Sequence, residues 1–96
     1  MLLSNLFKGK NKEISFQVCK KEYDSPELND LMSWFKNNGW VVQMKNWHVV
    51  GSLEIGIYEA TKSKITIRLV FETYSGVMLF TSPEHEHLFS AIKINT

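Results

Sequence analysis

Residues 65–73, with the sequence ITIRLVFET, are the stretch that decides the fold class. Apolar residues occupy every odd position from 65 to 71, and this period of two predicts a strand that buries one face. Residues 40–59 have the same period, and Gly51-Ser52 in their middle predicts a two-residue turn that pairs residues 40–50 with residues 53–59. The sequence therefore predicts an antiparallel sheet.

The predicted turns also indicate which side chains share a buried face. We expect the odd positions of residues 53–57 to share the face of Ile65, Ile67, Leu69 and Phe71, after a loop over residues 60–64. A hairpin at Ser75-Gly76 then pairs Phe71 with Phe80 and Thr73 with Met78. The same face is predicted to take four side chains from residues 40–50: Val42, Met44, His48 and Val50.

One strand and one helix precede these strands. Residues 13–20 alternate, which predicts Ile14, Phe16 and Val18 on one face and Ser15, Gln17 and Cys19 on the other. The run Asp24-Ser25-Pro26-Glu27 supplies a cap, a first-turn proline and a first-turn acid, and predicts a helix that ends near Asn38, before Gly39. Its buried stripe is predicted to be Leu28, Leu31, Met32 and Phe35.

A second helix start, Ser82-Pro83-Glu84, predicts a short helix with His85, Leu88, Phe89 and Ile92 at helical spacing. The predicted fold is therefore α+β: a five-stranded, mainly antiparallel sheet with one helix packed across one face, in the order strand, helix, four strands, short helix. We expect a single domain over residues 1–96, with a basic N-terminal segment (1–12) and a globular core (13–96).

In its order of elements the chain resembles the cystatin fold. The inhibitory hairpin of that family, Gln-x-Val-x-Gly, is absent, and the chain reads HVVGS at residues 48–52. The resemblance therefore implies a topology, and no functional residue is carried over from it.

Composition excludes several classes of protein. A formal net charge of +1 and a single arginine, Arg68, argue against a nucleic-acid partner. No run of about 18 apolar residues is present, so no membrane partner is expected. One cysteine, Cys19, and no signal peptide predict a reducing, cytoplasmic location. Ten lysines, with many asparagines and isoleucines, are typical of an AT-rich bacterial or phage genome.

The chemically versatile side chains do not form a catalytic set. His85 and His87 are two residues apart, so a helix would direct them to different sides, and no metal or cofactor is expected. His48 is predicted to be a half-buried, hydrogen-bonded side chain rather than a base. We interpret Cys19 as a packed thiol, so the protein is expected not to be an enzyme.

The second face of the predicted sheet is too apolar for a solvated surface. It would carry Val41, Trp47, Val49, Tyr58, Val70, Tyr74, Val77 and Leu79, mixed with Glu54, Arg68 and Glu72. Either the C-terminal helix or N-terminal residues Leu2, Leu3, Leu6 and Phe7 cover this face, or it binds a protein. Trp47, opposite Gly56, also has a structural explanation, because aromatic side chains often cover a cross-strand glycine.

We therefore expect a small protein-binding inhibitor, most concretely a bacterial immunity protein that neutralises a toxin domain. The predicted partner-binding residues are Trp47, Glu54, Tyr58, Arg68, Glu72, Tyr74 and Leu79. Acidic residues would meet a basic partner; they are Asp24, Glu27, Asp30, Glu54, Glu59 and Glu72. The alternative is a homo-oligomeric structural or ligand-binding module whose second face pairs with its own copy. An enzyme that uses Cys19 and a histidine is the third hypothesis.

Overall fold

The computed structural model describes residues 13–20 and 25–94 and confirms the α+β fold. All neighbouring strands are antiparallel, and they lie in the order β1-β5-β4-β3-β2, so the first strand pairs with the last. The elements are β1 (Ile14–Cys19), α1 (Pro26–Asn37), β2 (Val41–Val50), β3 (Leu53–Lys62), β4 (Ile65–Glu72), β5 (Gly76–Thr81) and a 3₁₀ helix (Pro83–Phe89).

Helix α1 begins and ends where the sequence predicts. Ser25 caps its start, because the Ser25 Oγ accepts a hydrogen bond from the Leu28 N–H at 3.2 Å. After the last turn, Gly39 has a φ of +86°, the left-handed conformation that glycine adopts most easily. The helix buries Leu28, Leu31 and Phe35 against the sheet, and we call the side of the sheet that it covers the helix face.

The core under α1 is largely aromatic. Phe35 is fully buried, and the centroid of its ring lies 5.1 Å from that of Trp34, 6.0 Å from that of Trp40 and 6.3 Å from that of Phe89. Because Phe89 belongs to the 3₁₀ helix, this helix packs beside α1 on the helix face. The expectation that the C-terminal helix covers the second face is therefore wrong, and residues 1–12, the other predicted cover, lie outside the described residues.

The turn between β3 and β4 is shorter than predicted, and this exchanges the two predicted faces of β3. Strand β3 continues to Lys62, through most of the predicted loop, and the turn consists only of Ser63 and Lys64, with Ser63 at a φ of +55°. Even positions of β3 therefore lie opposite odd positions of β4, as in the pair Tyr58 and Leu69. The prediction that Leu53, Ile55 and Ile57 share the buried face of β4 is wrong.

The turn between β4 and β5 also differs from the prediction, and this exchanges the two predicted faces of β5. Its loop is Thr73–Ser75, one residue longer than predicted, with a hydrogen bond from the Ser75 N–H to the Glu72 carbonyl at 3.2 Å. Gly76 follows at a φ of +84°, and Phe71 pairs with Val77 rather than with Phe80. Val77 and Leu79 are therefore buried on the helix face, while Met78 and Phe80 point to the other side.

Two bulges shift the edge strands. In β2 the register moves between Met44 and Asn46, so Val42 and Met44 lie on the helix face, whereas His48 and Val50 lie on the opposite one. A single shared face for these four residues, as predicted, is excluded by the bulge. In β1 the register moves between Gln17 and Cys19, and Cys19 is buried like Val18 instead of facing outward with Gln17.

Trp47 lies directly opposite Gly56, as the sequence predicts, but on the helix face. Its indole stacks on Phe71 at 5.7 Å between ring centroids and 17° between planes, and meets Tyr58 edge-on at 6.4 Å. A Cβ at residue 56 would stand 2.5 Å from Cε3 of Trp47, so the indole fills the space that glycine leaves. Gly56 is therefore part of the aromatic packing.

We expect Gly56→Ala to lower the free energy of unfolding by about 1–3 kcal/mol, because the indole must leave its position on Phe71. Urea denaturation measures the loss, and the near-ultraviolet circular dichroism of Trp47 should change with it. A loss under about 0.5 kcal/mol with an unchanged near-ultraviolet spectrum would contradict this packing.

Candidate functional site

The side of the sheet opposite the helix face is open: within residues 13–20 and 25–94, no helix lies over it. We call this side the open face. On β3, β4 and β5 its apolar residues are Leu53, Ile55, Ile57, Val70, Met78 and Phe80, and all six are half-buried. Along the strands of a sheet with one face in water, apolar side chains on the buried face normally alternate with polar side chains on the exposed face. Half-exposed apolar residues on three adjacent strands are therefore unusual.

The centre of the open face is a row of apolar cross-strand neighbours. Ile57 of β3 pairs with Val70 of β4, Val70 pairs with Met78 of β5, and Met78 pairs with Gln17 of β1. Directly paired residues on one face lie about 4.5–5.5 Å apart at Cβ, so these side chains form one continuous surface. The side chains of Ile57, Val70 and Met78 carry no hydrogen-bonding group, and Gln17 at the end of the row is its first polar side chain.

A charged row of alternating sign borders this centre. The Arg68 Nη2 lies 3.2 Å from the Glu13 Oε1, and the guanidinium stands over the ring of Phe80, 4.6 Å from the ring centroid. Glu59, the cross-strand partner of Arg68, lies 3.9 Å from the Nζ of Lys45. Exposed pairs of this kind contribute little to stability, so the row mainly sets the electrostatic pattern of the open face.

Glu72 marks the opposite end of the open face. Its Oε1 accepts a hydrogen bond from the Ser75 Oγ at 3.1 Å, and it pairs across the strands with Ile55 and Gly76. Among the described residues, the open face carries the carboxylates of Glu13, Glu59 and Glu72 and the cations of Lys45 and Arg68, and Lys64 lines the same groove as Glu59 and Arg68. Charges of both signs therefore surround the apolar centre in about equal number.

The structure divides the predicted partner-binding residues between two faces. Arg68 and Glu72 lie on the open face. The assignment of Trp47, Tyr58, Leu79 and Glu54 to the second face is wrong, because the register places all four on the helix face. Tyr74 lies in the turn after β4, is 71% exposed, and contacts the Ser52 Oγ at 3.0 Å through its hydroxyl.

Sequence reasoning missed most of the apolar part of the open face. Ile55, Ile57, Met78 and Phe80 were all expected to be buried under α1. One signal could have found the bulge in β2: Met44 and Trp47, the two largest apolar residues of that strand, are three apart instead of two. The turn at Ser63-Lys64 has no comparable signal, since it contains neither glycine nor asparagine.

The histidines lie apart from the apolar centre. His48 is exposed on the open face, not half-buried as predicted, because the bulge turns it away from α1. The His85 Nδ1 lies 2.9 Å from the Ser82 Oγ, and its Nε2 lies 3.6 Å from the carboxylate of Glu84. Among the described residues, no three side chains of the histidine, cysteine or acidic types are grouped to hold a metal ion.

Ser82 and His85 line an open groove of about 470 Å³ beside the start of β4, together with Glu13 and Arg68. A serine next to a histidine and a carboxylate could suggest a nucleophile. The contact, however, joins residues i and i+3 of one turn, which is an ordinary local interaction at a helix start, and Glu84 is 76% exposed on its side chain. We assign no chemistry to this groove.

The two edges of the sheet differ. At the β1 edge, the Ile94 N–H donates to the Gln17 carbonyl at 2.9 Å, so the segment after the 3₁₀ helix covers part of that edge. At the β2 edge, the described part of the chain supplies no such segment, and eight of the ten residues from Val41 to Val50, among others Val41, Met44 and Val49, are exposed.

Comparisons with known proteins return no match: no protein-family model, curated protein or solved structure is similar to this chain. None of the described helices is long and apolar enough to cross a membrane.

Proposed function

We propose that this protein is a small binding protein that inhibits another protein through the open face. Its most concrete form is a bacterial immunity protein that captures a toxin domain encoded beside it. The observation that carries the proposal is the row of Ile57, Val70 and Met78, an apolar surface that no described helix covers. Contiguous exposed apolar surface on a small protein is typical of an interaction site.

The surroundings of this row support a protein partner. Interface centres are typically apolar, with aromatic residues and arginine enriched, and they have a polar rim. On the open face, Arg68 stacks on Phe80 next to the apolar row, and Glu13, Glu59 and Glu72 lie around it. The stacked guanidinium is held in one place by Glu13, so it would lose little conformational freedom on binding.

We expect the partner to be basic where it meets the carboxylates of the open face. Glu13, Glu59 and Glu72 lie on this face, whereas Glu27 and Asp30 are exposed on α1, on the other side of the sheet. Of the acidic residues expected to meet the partner, Asp24 lies outside the described residues and Glu54 lies on the helix face. Electrostatic complementarity of this kind mainly accelerates association, so the association rate should fall as salt is added.

The test is capture of a defined partner. The chain is co-expressed with the product of the neighbouring gene, and the pair is analysed by light scattering and titration calorimetry. We expect a 1:1 complex that Val70→Glu weakens on the order of 100-fold, because a charge would stand at the centre of the buried surface. Glu59→Lys, at a half-exposed position, provides a second variant that should also weaken the complex, because it places a cation against a basic partner.

Ser33→Glu is the matched control, because it adds the same charge to an exposed position of α1, on the other side of the molecule. It should bind like the unaltered protein. Thermal melts followed by circular dichroism show which variants are folded. Failure of the two proteins to associate, or equal affinity for folded Val70→Glu and Ser33→Glu, would refute the proposal.

A further inference from the structure

Strand β2 is the last strand of the sheet, and no strand of the described residues pairs with its outer edge. The Glu54 N–H donates to the Thr73 Oγ1 at 2.7 Å, and the Glu54 carbonyl accepts the Thr73 N–H at 3.1 Å. Glu54 therefore makes its hydrogen bonds toward β4, although it stands opposite Val49 of β2. In an antiparallel pair this arrangement directs the N–H and carbonyl of Val49 away from β3, to the edge of the sheet.

The sequence of β2 is symmetric about its centre. Residues 41–50 read VVQMKNWHVV, with the centre between Lys45 and Asn46. Reversing the strand places valine opposite valine at both ends, a polar pair inside them, and two large apolar side chains next to the centre. The resulting pairs are Val41 with Val50, Val42 with Val49, Gln43 with His48, and Met44 with Trp47.

The bulge makes this symmetry consistent with the two faces of the sheet. In a regular strand, residues 41 and 50 would point to opposite faces, since their numbers differ in parity. The register shift between Met44 and Asn46 restores agreement, so Val41 and Val50 both lie on the side of the open face. In the same way Val42 and Val49, and Met44 and Trp47, all lie on the side of the helix face.

We propose that β2 pairs antiparallel with β2 of a second copy of this chain, about a two-fold axis between Lys45 and Asn46. The two five-stranded sheets then form one continuous sheet, with both helices on one side and both open faces on the other. Val41 of each chain stands opposite Val50 of the other, and Val42 opposite Val49.

The residues at the centre agree with this pairing. Lysines and β-bulges often protect edge strands from association, and Lys45 is a lysine that lies at the bulge of β2. Here Lys45 lies 3.9 Å from Glu59 of its own chain, and across the axis its neighbour is Asn46 rather than a second cation. The Asn46 Oδ1 accepts the Trp47 N–H at 2.9 Å within one chain, and this bond would be exchanged for a main-chain bond to the partner copy.

Two double variants test the register. Val41 and Val50 are 61% and 65% exposed, so charges at these positions leave the core of a single chain intact. Val41→Lys/Val50→Lys places lysine opposite lysine at both ends of the paired strands. Val41→Glu/Val50→Lys removes the same valines but places glutamate opposite lysine at both ends.

Sedimentation velocity of the full chain over a range of concentrations measures self-association. We expect the unaltered chain to dimerise and the lysine–lysine variant to dimerise at least about tenfold more weakly than the glutamate–lysine variant. Hydrogen exchange provides an independent measurement: the amide of Val49 should exchange more slowly as the concentration rises, and the lysine–lysine variant should lose this effect.

A chain that is monomeric at every concentration would overturn the proposal. So would equal dimerisation of the two double variants, or a dimer in which Val70 is protected and Val49 is not. The measurement contains no partner protein, so it is independent of the proposed inhibitory function. Val70→Glu, which is expected to weaken partner capture, should leave this dimer unchanged because residue 70 lies two strands away from the β2 edge.

Discussion

Phe35→Ala is expected to lower the free energy of unfolding by about 3–5 kcal/mol. Its ring is fully buried between α1, the sheet and the 3₁₀ helix, and it is in contact with Trp34, Trp40 and Phe89. Removing it leaves a cavity that three rigid aromatic rings cannot fill by small movements. Since a domain of this size is typically stable by about 5–15 kcal/mol, the variant should unfold at much lower urea concentration.

Phe35→Leu is the matched variant for this prediction. It keeps most of the apolar volume, so we expect it to lose less than half as much stability. Hydrogen exchange should also show that the 3₁₀ helix opens more easily in Phe35→Ala, because Phe89 loses one of its packing partners. A loss below about 1 kcal/mol in Phe35→Ala would mean that the aromatic core is not packed as described.

Gly76→Ala should be the most damaging of the glycine substitutions, with a loss of about 3 kcal/mol or more. Two causes add. The residue has a φ of +84°, which costs an L-residue roughly 1–2 kcal/mol. A Cβ atom there would also overlap the main-chain carbonyl of Cys19 and stand 2.9 Å from the Cα of Lys20, so β1 must move away from β5.

Gly51→Ala separates the two causes. Gly51 also has a positive φ, +63°, but a Cβ there would meet no atom within 4 Å. It should therefore lose only the conformational part, about 1–2 kcal/mol, in the same urea titration. If both alanine variants lose the same free energy, the close approach of Gly76 to β1 does not exist in the protein.

Local signals in the sequence predict the elements of this fold well. Ser25, Pro26 and Gly39 set the ends of α1 through capping and backbone preference, which depend only on neighbouring residues. The Gly51-Ser52 turn fixes the β2–β3 hairpin in the same local way, and Val50 pairs with Leu53 as that turn requires. The order strand, helix, four strands and short helix follows from these signals.

The faces of the sheet could not be predicted with the same success. Each turn or bulge that changes by one residue exchanges the two faces of every residue beyond it. Besides the bulge near the end of β1, the described residues have three such places, at Lys45, Ser63 and Thr73–Ser75, and among these three only Lys45 has a signal in the spacing of apolar residues. Arg68 and Glu72 were placed correctly because they share β4 with the buried residues that define the helix face.

The sequence therefore predicts that a second apolar face exists, but not most of the residues that form it. An apolar second face follows from the number of apolar residues that alternate along the strands, and such a face exists. Which residues form it depends on register. The prediction placed Trp47, Tyr58 and Leu79 on this face, and the structure places Ile57, Met78 and Phe80 there. A binding role for the open face remains our proposal.

The pairing of the first strand with the last has a consequence for folding. Strands β2 to β5 are joined by short turns, so each can pair with its predecessor soon after both exist. Strand β1 must wait, because Ile14 pairs with Thr81 across most of the length of the chain. We expect the insertion of β1 beside β5 to be the slow step of folding, and a ribosome-bound chain that ends before β5 to leave its first strand without a place in the sheet.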